Sequence, residues 1–287
     1  MPSRKLTPFG SARIMRPASQ GRRPQAVGKS ERLAYLHYIG HATVLVDIGQ
    51  VRVLTDPILR DHLFFLQRHG QNSAPDLLKE RAPDIVLISH LHYDHADLPS
   101  LRMLSPSSTI IAPKGSGKFL ERSTGVPVHE VVEGDKVQVA DVEITALPAD
   151  HGNGHSFSRP TSPSLSYVMQ NRLSVYFAGD TDLFEGMKEV GQDFDLDMAL
   201  IPVWGYGHRL GEGHLTPFTA AQALNHLRPR VAVPIHWGSL RYWGPEALWK
   251  RADYLSQPPH LFAQHAGHLS PQTTVQVLQP GEGTALH

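Results

Sequence analysis

Ser89-His90-Leu91-His92-Tyr93-Asp94-His95 brings three imidazoles and a carboxylate together within six residues, directly after the apolar run Ile85-Val86-Leu87-Ile88. A short apolar run bounded by a proline, here Pro83, reads as a buried strand, and the polar segment after it as the loop at its end. Imidazole nitrogen and carboxylate oxygen are the donors that borderline divalent metals such as zinc prefer. In a tight loop, His90 and His92 can point one way while Asp94 and His95 point another. One H-x-H-x-D-H segment can therefore serve two neighbouring metals, provided the fold brings further donors to the same strand edge.

Three other positions repeat this context. His151 follows the run that ends Ala146-Leu147-Pro148-Ala149-Asp150, Asp180 follows Val175-Tyr176-Phe177-Ala178-Gly179, and His236 follows Val231-Ala232-Val233-Pro234-Ile235. Donors at strand ends converge at one edge of a sheet, where α/β folds commonly carry their functional groups. Taken singly, a histidine after a strand is an ordinary hydrogen-bonded turn residue, and Gly-Asp is a common turn pair. Their combination with the H-x-H-x-D-H loop is what makes a metal site specific.

In this order, His90, His92, Asp94, His95, His151, Asp180 and His236 resemble the metallo-β-lactamase-fold hydrolases. Further segments are similar to one branch, which contains N-acylphosphatidylethanolamine phospholipase D and ascorbate-phosphate lactonase-like proteins. They are Tyr38-Ile39-Gly40-His41-Ala42-Thr43, Val53-Leu54-Thr55-Asp56-Pro57, Phe177-Ala178-Gly179-Asp180-Thr181-Asp182 and Pro234-Ile235-His236-Trp237-Gly238. The resemblance spans roughly residues 34–270. It implies an α+β fold, a four-layer αββα sandwich with a dinuclear metal site at one edge of the sheets. Periodicity alone supports only α/β or α+β.

The same resemblance implies that His90, His92 and His151 hold one metal, that Asp94, His95 and His236 hold a second, and that Asp180 bridges them. Two divalent ions are expected, with zinc the first choice for an imidazole-rich site and Mn2+ or Fe2+ as alternatives. The implied activity is a metal-dependent hydrolase that directs a metal-bound hydroxide at a phosphodiester or an ester or lactone. Its substrate would be a small or lipid-like molecule. Asp94 is assigned a catalytic role beside its ligand role, as acceptor of the water's proton, and His214 a role facing the substrate. Asp56 and His41 are expected to support the ligands, Asp56 by accepting a hydrogen bond from a ligand imidazole. The glycine-rich stretch from Trp204 to His214 is the expected substrate loop, with Tyr206, His208 and Arg209 offering polar groups. The competing reading is a non-catalytic or differently acting metal-binding protein of the same fold. The complete ligand set argues against it.

Composition narrows the rest. The 27 basic and 27 acidic side chains cancel, so nothing pulls the chain as a whole toward nucleic acid or an anionic membrane. The absence of cysteine excludes disulfides and thiolate ligands. No run approaches the roughly 18 apolar residues of a membrane span, and the expected location is the cytoplasm. Residues 1–32, rich in Arg, Lys, Pro, Ser and Gly, read as an extended, partly disordered basic arm able to pack on the domain or at a homo-oligomer contact. Residues 33–287 read as one domain, because the candidate ligands are spread over 90–236.

Within that domain the expected hairpins turn at Gly49-Gln50, between 139 and 142, and near Asn171. Helices are expected over 115–122, over 184–190 and after the caps Asp97 and Thr216, the latter with Pro217 in the first turn. The Gly-x-Gly at 115–117 lacks the remaining features of a dinucleotide fingerprint and receives no nucleotide role. Residues 61–79 read as a longer loop or short helix whose Phe64, Phe65 and Leu66 form either a substrate wall or core. Trp237, Tyr242 and Trp243 carry the same two alternatives.

Overall fold

In the hairpin Thr43–Ile48 and Val51–Thr55, Val44, Val46, Ile48, Val51 and Val53 enter one buried cluster while Leu45 and Leu54 enter another. A period of two in the sequence has thus become two covered faces of one sheet. The computed structural model describes residues 12–13, 34–151, 159–204, 213–244 and 255–286.

One sheet has seven strands, in the order Gly283–Leu286, Ala34–Gly40, Thr43–Ile48, Val51–Thr55, Ile85–Leu87, Thr109–Pro113 and Val128–Val131. A second has eight, in the order Ala12–Arg13, Lys136–Val139, Val142–Pro148, Leu165–Gln170, Ser174–Phe177, Met198–Pro202, Val231–Ile235 and Thr274–Val275. The inner faces of the two sheets share one large apolar cluster, in which Val44, Val53, Leu87, Ile144 and Tyr167 are all at most 2% exposed. That cluster continues through the eight-stranded sheet to its outer helices Gly186–Asp193, Pro217–Leu227 and Gln257–Leu269. The outer face of the seven-stranded sheet is covered by Ala74–Glu80, Leu98–Leu101 and Gly117–Thr124. This is the αββα sandwich of the metallo-β-lactamase fold.

Local signals explain most elements. The Thr216 hydroxyl oxygen accepts from Thr219 N at 3.2 Å, and Thr216 N in return donates to Thr219 Oγ1 at 2.8 Å, a reciprocal cap ahead of Pro217. Asp97 caps the short helix Leu98–Leu101 through Ser100 N at 3.1 Å and pairs with both ends of the Arg60 guanidinium at 2.8 Å. The helices expected at 115–122 and 184–190 start two residues later, at Gly117 and Gly186.

Residues 61–79 depart from the simple loop or helix expected of them. His62–Leu63 and Leu66–Arg68 form a hairpin that pairs with Leu240–Tyr242 as a third, three-stranded sheet, and Ala74–Glu80 is a helix. Leu63 and Leu240 bury their side chains beneath it, which lifts Phe64 and Phe65 outward at the turn. Of the arm expected over 1–32, Ala12–Arg13 is described; it pairs in parallel with Lys136–Val139 at the sheet edge. The rest of the arm lies outside the described residues. Among the described residues no helix is long and apolar enough to cross a membrane.

Candidate metal centre

Every candidate donor except His214, which precedes the helix Pro217–Leu227, stands just beyond a strand. Residues 89–95 follow Ile85–Leu87, Asp56 follows Val51–Thr55, and His41 follows Ala34–Gly40. From the other sheet, His151, Asp180 and His236 follow Val142–Pro148, Ser174–Phe177 and Val231–Ile235. Both sheets therefore deliver polar ends to one edge, where Leu165 N bonds Ser89 O at 2.9 Å and His236 N bonds His41 O at 2.7 Å. Gly179 (φ 61°) makes the approach close enough, since a Cβ there would meet Ser89 Cβ at 2.5 Å.

The backbone is strained at this edge. His41, Asp56 and His236 have φ of 57°, 30° and 64°, a region that non-glycine residues rarely enter. Such conformations persist where the surrounding structure over-determines them, and functional sites are where they concentrate.

Hydrogen bonds then set which nitrogen of each imidazole faces the cluster. Asp56, fully buried, accepts from Ser89 N (2.7 Å), from Ser89 Oγ (2.5 Å) and from His95 Nδ1 (2.6 Å). Because the Ser89 hydroxyl proton goes to Asp56, its oxygen is left to accept from His90 Nδ1 at 2.9 Å. His151 Nδ1 donates to Gly213 O at 2.6 Å, and His236 Nδ1 to Trp204 O at 2.5 Å. Four ring N–H groups are thereby committed outward, leaving the Nε2 lone pairs of these residues to face one another.

What converges is a set of electron pairs. His92 Nδ1 lies 2.8 Å from His90 Nε2 and 3.1 Å from His151 Nε2. Burial, reinforced by the neighbouring imidazoles, holds His90 well below the ordinary histidine range and His92 at about 4, so these rings stay in the neutral, metal-ligating form. On the other side, Asp180 Oδ2 lies 3.1 Å from His95 Nε2, and Oδ1 lies 3.2 Å from His236 Nε2. His95 Nε2 and Asp180 Oδ1 are both buried and neither makes a hydrogen bond among the described residues. Burial opposes a charge on His95, yet Asp180, Asp56 and Asp94 together hold its protonated form well above the usual range. Three carboxylates thus create a field that calls for a cation. Converging lone pairs on one side and an uncompensated carboxylate field on the other fit divalent metals.

The donor atoms fall into compact groups, each within 4.8 Å: His90, His92 and His151; His41, Asp94, His95 and His236; and His151, Asp180 and His214. Asp180 lies between the first two groups, since its Oδ2 is also 3.9 Å from His151 Nε2. His41, expected in a supporting place, stands among the donors: its Nε2 donates to Asp94 Oδ2 at 3.2 Å, and its ring lies 3.9 Å from that of His236. Burial, then the neighbouring His236, lowers its pKa to about 3. His214 is 23% exposed, with Nε2 3.5 Å from Asp180 Oδ2. It lines a small surface hollow together with Trp204, Leu215 and His236. Tyr206, His208 and Arg209 lie outside the described residues. Trp237 is buried, whereas Tyr242 and Trp243 are exposed, so the aromatic run expected near His236 divides between core and surface.

Sequence reading passed over two residues here. Ser89 relays His90 to Asp56, and its place immediately before His90 was a usable signal. Arg159 donates to the carbonyls of Leu91 (2.9 Å), His92 (3.3 Å) and Ala96 (2.8 Å), and its guanidinium lies 4.0 Å over the Tyr93 ring. No local pattern marks it.

Known proteins share this architecture. The family described as "Beta-lactamase superfamily domain" matches residues 51–237. An uncharacterized protein of Mycobacterium tuberculosis is 32% identical over 253 residues, 82% of this chain and 67% of the relative. A UPF0173 metal-dependent hydrolase of Methanopyrus kandleri is 30% identical over 256 residues, 85% of this chain and 96% of the relative. Among solved structures, Igni18, a novel metallo hydrolase from Ignicoccus hospitalis, superposes with a TM-score of 0.68 at 22% identity, over 88% of this chain and 98% of that one. The fold, the strand-end donors and these matches together place the chain in the beta-lactamase superfamily, to which it belongs.

Proposed function

We propose that this chain is a metal-dependent hydrolase that binds two divalent ions and cleaves a phosphodiester or an ester or lactone. The observation that carries the reading is the approach of His92 Nδ1 to His90 Nε2 (2.8 Å) and to His151 Nε2 (3.1 Å) while the outer nitrogens of His90 and His151 are committed to Ser89 and Gly213. His90, His92 and His151 would hold one ion, and Asp94, His95 and His236 the other, with Asp180 between them. When bound, such a pair supplies Lewis acidity, which lowers the pKa of a coordinated water and polarises the substrate's oxygen. Zinc suits the imidazole-rich set best, with manganese or iron as alternatives.

The chain's own residues divide the remaining work. Asp94 is 31% exposed where Asp180 is 3%, so it is the carboxylate of the cluster open to an entering water, and His41 orients it through the 3.2 Å bond. That position suits acceptance of the water's proton. His214, at the pocket wall, suits contact with a carbonyl or phosphoryl oxygen. A small-molecule or lipid-like substrate is part of this reading, supported by the segments similar to the phospholipase D and lactonase-like branch. Named relatives such as the Methanopyrus kandleri protein support the hydrolytic class.

Elemental analysis of protein purified without chelator tests the reading directly. About two equivalents of transition metal are expected, together with turnover of at least one member of a phosphodiester and lactone panel. Chelation should abolish turnover and added Zn2+, Mn2+ or Fe2+ restore it. Metal-free protein that hydrolyses as fast as the loaded form would refute the proposal.

A further inference from the structure

Residues 90–95 sit on an irregular loop between the strand Ile85–Leu87 and the helix Leu98–Leu101, where no ladder of strand partners fixes the backbone. Four imidazoles of the centre are aimed by an acceptor on the outer nitrogen: Ser89 for His90, Asp56 for His95, Gly213 for His151 and Trp204 for His236. His92 is the exception. Its Nδ1 faces His90 and His151, and its Nε2 has no hydrogen-bond partner among the described residues. Nδ1 is bonded to the ring carbon that joins the side chain, so a donor used through Nδ1 follows the backbone more closely than one used through Nε2. The backbone of His92 is gripped by Arg159. One nitrogen, Arg159 Nη1, donates to the carbonyls of Leu91 (2.9 Å), His92 (3.3 Å) and Ala96 (2.8 Å), on both sides of the donor run. The His92 carbonyl also accepts from His95 N (3.1 Å) and Ala96 N (2.9 Å), so Arg159 closes from outside a turn whose other bonds are internal to the loop. Its guanidinium lies 4.0 Å over the ring of Tyr93, between His92 and Asp94.

We infer that Arg159 is a positioning residue for the metal centre, holding the His92 backbone where its Nδ1 meets the Nε2 atoms of His90 and His151. The inference rests on the two-ion reading above and adds to it the group that sets His92. Arg159 acts through the backbone of the loop, not through an ion or the substrate. A cationic donor suits this task, because charge-assisted hydrogen bonds are the stronger ones and a guanidinium presents its N–H groups in a rigid plane. Since one nitrogen serves all three carbonyls, an ammonium with its three N–H groups can take the role over, and an apolar side chain cannot. Loss of Arg159 should fall on the His90, His92 and His151 group, because His95 and His236 in the other group keep their own acceptors.

Zinc titration of the metal-free protein against a competing chelator is the test, since it reads the affinity of each ion and not turnover. The parent should show two binding steps, and His151→Ala identifies the one that belongs to the His90, His92 and His151 group. Arg159→Met should weaken that step about 10–100-fold, the usual cost of losing a group that orients a ligand, and leave the other step near its parent value. Arg159→Lys should recover most of the loss. A general loosening of the fold would weaken both steps together and would not respond to lysine in this way. Should Arg159→Met not fold, Arg159→Gln is titrated in its place, and its two amide N–H donors should recover less than lysine does. Unchanged affinity, an equal loss at both steps, or Arg159→Lys as weak as the other variants overturns the inference and leaves the two-ion hydrolase standing. A parent protein that takes up no zinc overturns both.

Discussion

Two clusters of rings lie side by side in this molecule and are held in opposite ways. At the metal centre the imidazoles of His90, His95, His151 and His236 are buried, and each has its Nδ1 proton committed to an acceptor. On the small third sheet Phe64, Phe65, Tyr242 and Trp243 are 66%, 65%, 44% and 74% exposed. The main ties there are the stack of Phe65 on Tyr242 at 5.6 Å and the backbone bond from Trp243 N to Phe65 O at 2.8 Å. The two clusters meet at Tyr93, between His92 and Asp94, where Phe64 packs edge-on at 4.9 Å and Arg159 lies 4.0 Å over the ring. The contrast teaches where free energy is invested. Buried polar groups must be satisfied, so their partners are strongly specified. Exposed aromatic rings contribute little to folding and leave their surface to solvent or to a ligand.

Asp180→Ala should break the buried side of this comparison hardest. It removes the carboxylate lying between His95 and His236 and leaves like charges poorly shielded. Loss of at least one metal per chain is expected, with turnover down by about three decades or more. Elemental analysis and kcat check both, and full occupancy with normal turnover would show the bridge to be wrongly placed.

Asp56→Asn probes the same region one step removed. Only the amide oxygen can still accept, so the three bonds that the carboxylate takes from Ser89 N, Ser89 Oγ and His95 Nδ1 cannot all survive, and the anchoring of His95, and of His90 through Ser89, is weakened. Metal affinity should fall about 10–100-fold in chelator competition. An unchanged affinity would mean that the imidazoles are positioned by packing alone.

His214→Ala lies at the boundary between the two regimes, partly exposed on the pocket wall. Catalytic efficiency should drop by about one to two decades, the worth of a hydrogen bond to a charged group. Metal content and Tm should hold. Lost metal would make His214 a ligand, and unaltered kinetics a bystander.

The smallest effect belongs to the aromatic ridge. Trp243→Ala should change the free energy of unfolding by no more than about 0.5 kcal/mol in urea denaturation, as for other surface positions. A loss of several kcal/mol would show that the ridge is part of the core after all.

Much of the frame was legible from the chain. The alternation in 43–55, the turns at Gly49 and Asn171, and the Thr216-Pro217 helix start are local signals that the structure keeps. Other features were not. Phe64 and Phe65 read equally well as core, because an apolar pair does not reveal which side of a hairpin is covered. Arg159 belongs to no periodic pattern, and its three carbonyl partners are 63–68 residues away.

The sequence by itself determined that donors would stand at strand ends and that those ends would share an edge. Strand, turn and cap are dictated by near neighbours and by a period of two. Only the tertiary structure decided which nitrogen of each ring faces the cluster. His95 is set by Asp56 across 39 residues, His151 by Gly213 across 62, and His236 by Trp204 across 32. A tautomer is settled by the acceptor that reaches the opposite nitrogen, and here each of those acceptors arrives from a distant segment of the chain.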